Sequence, residues 1–123
     1  MRYVTLVKYD EKGVPPPKAF LDAIAQFNTE AMAAGALVEY GGLHPSALGM
    51  RMRLSRGKVT VTDGPFTETN ELIGGYAVYD VKTKQEVIEW SCRFLGLHKY
   101  CPEWECELEI RQMFEAPASQ SGG

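Results

Sequence analysis

Two stretches of this chain are apolar on both faces of a would-be strand, and they restrict its fold more than any other feature. In residues 2–9, RYVTLVKY, Val4 and Leu6 fall on one side, and Tyr3, Val7 and Tyr9 on the other. Residues 74–81, GGYAVYDV, repeat the pattern. A strand with no polar side to turn to water belongs inside a sheet, flanked by other strands. Each of these two is followed by a helical segment and then by a weaker strand.

The first helix is expected to start at Pro16 or Pro17, where proline costs nothing in a first turn. Phe20, Ile24, Phe27 and Ala31 then recur as one apolar stripe, and Gly35 is placed to end it. Residues 36–43 read as a strand in which Gly41 and Gly42 mark a bulge or a close backbone approach. The second helix opens on a capping box, Thr83 with Glu86, and buries Val87, Ile88, Ser91, Phe94 and Leu95 up to Gly96. In residues 104–114, Trp104, Cys106, Leu108 and Ile110 alternate with Glu105, Glu107, Glu109 and Arg111, the pattern of an edge strand.

Between the halves, residues 50–54 and 58–62 alternate around a turn at Ser55, Arg56 and Gly57, which predicts a β-hairpin. The order is thus β-α-β, hairpin, β-α-β. It predicts an α+β fold, a ferredoxin-like split βαβ sandwich with an inserted hairpin, with both helices on one sheet face. The opposite face, assigned Tyr3, Tyr9 and Tyr79, then needs a cover. A second copy of the chain is the simplest, giving a homodimer whose sheets pack face to face as a dimeric α+β barrel. Residues 1–115 make one domain, and residues 116–123 a small, polar, flexible tail.

Composition removes several function classes. A length of 123 residues with 45% apolar content suits one globular core. A net charge of −3 argues against direct nucleic-acid binding through phosphate neutralisation. No apolar run reaches the ~20 residues of a membrane span, and the first strand leaves no room for a secretory leader. Three cysteines, Cys92, Cys101 and Cys106, fit reduced thiols and a cytoplasmic location.

A hairpin joins its own ends, so the His44-Pro45 turn should lie near Asp63. A histidine beside a carboxylate is an acid–base pair, and these two are the candidate catalytic residues. Glu68 and Glu71 would add negative charge and favour cationic or proton-donating ligands. Gly64, Pro65 and Phe66, with Tyr9, Glu68 and Glu71, complete the candidate ligand-binding set. Turn chemistry offers a structural account of the same motif: Asp63 accepts backbone N–H groups, Gly64 supplies permissive dihedrals, Pro65 stiffens the loop, and Phe66 anchors it in the core. His98, Cys101 and Cys106 are soft donors close in sequence, but they lack a fourth ligand at zinc-site spacing, so no metal is assigned. Cys92 is read as buried in its helix. Gly41-Gly42 and Gly74-Gly75 open no phosphate-binding helix, and no cofactor is called for.

The stretches LVKYDE, VTDGPFTETNELIGGYAVYDV, VIEWSCRF and ELEIRQM together resemble the DGPF branch of the YCII-related domain family, over residues 1–114. That resemblance implies a ferredoxin-like fold paired into a dimeric barrel, a bacterial origin and a polar cleft. Some relatives with the wider domain act as small-molecule enzymes, one a dehydrochlorinase of aromatic degradation. Genes of the branch often accompany those of extracytoplasmic-function sigma factors. The chain departs from the pattern twice. Residues 18–34 hold no counterpart of the first-helix histidine, and Asn70 stands where the branch commonly has lysine. Two functions follow as expectations: a cofactor-free enzyme using acid–base chemistry on an unidentified small molecule, or a non-enzymatic ligand-binding accessory of sigma-factor signalling. An apolar lining of the pocket would favour binding over catalysis.

Overall fold

A computed structural model of the chain describes residues 1–9, 15–66 and 72–115. Strand β1 (Arg2–Tyr9), helix α1 (Lys18–Ala33) and strand β2 (Leu37–Gly42) form the first half. A hairpin of β3 (Met50–Ser55) and β4 (Lys58–Asp63) separates them from β5 (Leu72–Asp80), α2 (Lys84–Gly96) and β6 (Cys106–Gln112). The main sheet is antiparallel in the order β2-β5-β1-β6, with the two doubly apolar strands in its centre. This α+β arrangement is compatible with a ferredoxin-like fold. The polar tail expected over residues 116–123 and the candidate residues Glu68 and Glu71 lie outside the described residues.

Register decides which side chains meet the helices. Tyr3 pairs with Tyr79, Thr5 with Ala77 and Ile110, and Val7 with Gly75 and Leu108, so all of these share one face. That face takes the helices: Tyr3, Leu37, Tyr79 and Val81 form one buried cluster with Phe27, Ala31 and Val87, and Trp90, Phe94 and Ile110 pack against it. The tyrosines assigned above to an uncovered face are therefore misplaced by one strand position. Tyr3 and Tyr79 are buried at 7% and 2% exposure within a single chain. A shift of one residue exchanges faces, and a strand apolar on both sides gives no cue to which side the helices take. The other face carries Val4, Leu6, Tyr76 and Val78 in its middle, with the Lys8–Glu109 ion pair at 2.8 Å towards the β6 edge.

The helix ends fall at the expected residues. Pro17 caps α1, and Gly35 follows it with φ of 77°, a left-handed value that glycine adopts without strain. Thr83 Oγ1 accepts the Glu86 N–H at 3.2 Å, and the Glu86 carboxylate returns to the Lys82 N–H at 3.3 Å. Gly96 is the last residue of α2, as expected; it keeps right-handed helical angles, and the chain runs straight on into a 3-10 turn, Leu97–Tyr100. Cys92 is exposed rather than buried, because α2 turns Val87 and Ser91 to the sheet instead.

Arg56 and Gly57, at φ of 50° and 77°, make the two-residue turn of the hairpin. Its paired positions put Met50, Met52, Leu54, Val59 and Val61 on one face and Arg51, Arg53, Lys58, Thr60 and Thr62 on the other. All five apolar side chains of that face are exposed, by 56–71%.

Candidate functional site

Between the helices and the sheet lies a cavity of about 210 Å³. Its floor comes from Thr5, Val7, Ala77 and Leu108 of the sheet, its roof from Ile24 and Asn28 of α1 and Ser91 and Phe94 of α2. Gly42 and Gly75, paired across β2 and β5, stand at the same level as Val7 and present no side chain. A Cβ added to Gly42 would meet no atom within 4 Å, so this edge stays open where a larger residue would fill it. Tyr40 and Tyr9 also border the space. The lining contains no Asp, Glu, Lys, Arg or His among the described residues.

The polar groups of this wall differ in what they have left to offer. Thr5 Oγ1 donates to Ala77 O at a long 3.4 Å. The Tyr9 hydroxyl and His98 Nε2 are 3.0 Å apart, and His98 Nδ1 lies 3.1 Å from Leu95 O. Since a carbonyl can only accept, Nδ1 carries the ring proton, Nε2 is the acceptor, and Tyr9 donates to it. Tyr9 Cδ2 would lie 2.8 Å from a Cβ at Gly74, so the tyrosine ring rests directly on glycine backbone. Phe20 and Phe94 ring the imidazole edge-on, and Trp104 meets Tyr9 in the same way.

Ser91 is 4% exposed, and its hydroxyl has no hydrogen-bond partner. A serine inside a helix ordinarily returns its hydroxyl to the carbonyl one turn back, here Val87 O. Leaving a buried hydroxyl unpaired costs about 1–3 kcal/mol.

Burial sets the protonation of this neighbourhood. It pushes the Tyr9 phenol well above the usual tyrosine range, with Cys106 and Cys101 adding to the shift. It holds His98 below the ordinary imidazole value, opposed by the backbone carbonyls of Leu95 and Phe94. Tyr79 rises to about 12 and the Cys106 thiol to about 11, both chiefly by burial. Each group is thus kept in its neutral form. Among the described residues, no cluster of three or more His, Cys, Asp or Glu side chains is set to hold a metal ion.

The hairpin root forms a second, larger hollow of about 420 Å³. Met50 pairs with Asp63 and Gly64 N–H donates to Gly49 O at 2.9 Å, so the hairpin does bring its ends together. His44 lines the hollow with Ser46, Arg51 and Phe66, whereas Asp63 is not part of its wall. His44 and Asp63 are both exposed, and no hydrogen bond or ion pair joins them. Gly64 does not have a left-handed φ. Its necessity is spatial: a Cβ there would sit 1.7 Å from Ser46 O. Pro65 follows through a cis peptide bond. Phe66 stays outside the core cluster. Its N–H donates to Ser46 Oγ at 3.1 Å, and its ring lies under the Arg51 guanidinium, 3.9 Å from the centroid.

Of the sequence candidates, then, Tyr9 borders the inner cavity, while His44 and Phe66 border the outer one. Thr5, Asn28 and Ser91 were not singled out as site residues. Thr5 carried a signal, a hydroxyl on the same face as Tyr3 and Val7 in an otherwise apolar run. Asn28 carried another, an amide beside Phe27 on the helix stripe.

Compared with known families, residues 1–111 match the YCII-related domain. No curated protein matches the chain.

Proposed function

Because the chain belongs to the YCII-related domain family, whose name specifies no reaction, we propose its function from the inner cavity: it binds a small, neutral, largely apolar molecule between its helices and its sheet. The carrying observation is a wall without charged side chains among the described residues, around a space of about 210 Å³. Drug-sized ligands occupy roughly 300–1,000 Å³, so the fitting molecule is nearer one ring in size. Acid–base catalysis at this place is disfavoured by the same residues. His98 is held neutral with its proton committed to Leu95 O, and the Tyr9 phenol is made a weaker acid. Binding without turnover fits a ligand-sensing accessory protein of the DGPF branch, acting in the cytoplasm and reporting to a sigma-factor system.

The reading includes a homodimer. The exposed apolar side of the hairpin supports a second copy as cover, since monomers rarely expose large contiguous apolar patches. Light scattering at micromolar concentration is expected to give twice the chain mass, and Met52→Glu with Val61→Lys to give a monomer. The pocket is tested by replacing Gly42 with Leu. Its Cβ has free space and its backbone is not left-handed, so the leucine fills the open edge without disturbing the fold. Nuclear magnetic resonance titration with single-ring compounds should move amide signals of Val7, Ser91 and Phe94 in the parent and leave them still in G42L. Unmoved signals in the parent would defeat the proposal.

A further inference from the structure

Resting on the pocket reading above, we propose that the ligand carries a neutral carbonyl group and that Ser91 donates the hydrogen bond that selects it. Two hydroxyls beside the cavity have already committed their protons, Thr5 to Ala77 O and Tyr9 to His98. Tyr40 is exposed and Asn28 half-buried, so both reach water near the edge of the space. Ser91 is different: it is 4% exposed, it lines the cavity, and its hydroxyl bonds to nothing. Such a group gains most from a partner that arrives with the ligand, because the protein has already taken it out of water.

The class of partner follows from what surrounds the hydroxyl. A carboxylate or phosphate would be desolvated here with no cation among the described lining residues to meet it, which is strongly unfavourable. A hydrocarbon would leave Ser91 unpaired. A ketone, aldehyde or amide oxygen brings an acceptor without charge, and an attached ring fills the apolar space between Val7, Ile24, Phe94 and Leu108. Recognition of a neutral polar atom by one buried donor in an apolar pocket is the arrangement expected of a specificity contact.

The experiment compares three probes on the full chain by resonance titration: acetophenone, α-methylstyrene, which replaces the carbonyl oxygen by methylene at nearly the same shape, and benzoate. The parent should bind acetophenone about 5-fold more tightly than α-methylstyrene, the factor that one net hydrogen bond of about 1 kcal/mol gives. Benzoate should bind more weakly than either. In Ser91→Ala the two neutral probes should bind alike, with α-methylstyrene affinity unchanged, which shows that the pocket itself is intact. Equal affinities in the parent, a preference that survives S91A, or tighter binding of benzoate would overturn the Ser91 assignment while leaving the pocket standing. Failure of both neutral probes to bind the parent would overturn the pocket, and the assignment with it.

Discussion

Gly42 leaves room beside the inner cavity that nothing fills, whereas Gly64 at the hairpin root leaves room that Ser46 O already occupies. Neither glycine needs a left-handed backbone, so dihedral freedom explains neither. On the proposed reading one is small so that a ligand can enter; the other is small so that two segments of the chain can touch. A glycine in a short motif draws attention as a mark of chemistry, yet here the motif glycine closes a joint, and the one read as a bulge or close approach leaves a pocket open.

The largest expected effect tests the joint. Gly64→Ala places a methyl group against backbone that cannot rotate away, and overpacking of this kind costs about 1–3 kcal/mol, more where backbone must move. Urea unfolding should show a loss on the order of 3 kcal/mol, against less than about 1 kcal/mol for Gly42→Ala. Similar losses at both positions would erase the contrast.

Ser91 sharpens the other side of the comparison, with the opposite sign. Removing a buried hydroxyl that has no partner relieves its desolvation cost, and alanine is also the better helix former. Ser91→Ala should therefore stabilise the ligand-free chain by about 1 kcal/mol in the same assay. A destabilisation of that size would mean that the hydroxyl has a partner within the fold.

These two positions show how far residues alone could lead. The order of strands and helices was legible because it rests on periodicity: β1 and β5 are apolar on both sides, and Thr83 with Glu86 announces α2. The helix-bearing face was not legible, because Tyr3 and Val4 are equally willing to be buried and only the register with Tyr79 and Val78 separates them. The inner site was harder still. A cavity is a property of what six elements fail to fill, and no single segment records it. Tyr9 was anticipated, but its partner His98 lies 89 residues away on a 3-10 turn, and spacing had associated that histidine with cysteines instead.

His98 provides a smaller test, through pH. Its folded value lies below the ordinary imidazole value of 6.5, so the unfolded chain binds a proton more readily. Its contribution to stability is therefore present above pH 6.5 and is lost as pH falls below that value towards the lowered folded one. The urea midpoint of the parent should fall between pH 7 and pH 5 by more than that of His98→Gln. Parallel curves would show that the Tyr9–His98 contact does not depend on a neutral ring.

The smallest effect is expected at the two residues that the sequence marked most plainly for catalysis. His44 and Asp63 are exposed and unjoined, and substitutions at such positions usually change stability by no more than about 0.5 kcal/mol. His44→Ala with Asp63→Asn should also leave acetophenone affinity within about 2-fold of the parent, because neither residue lines the inner cavity. If the double variant lost binding, the hairpin root would be coupled to the pocket, and the division between a structural joint and a binding hollow would fail.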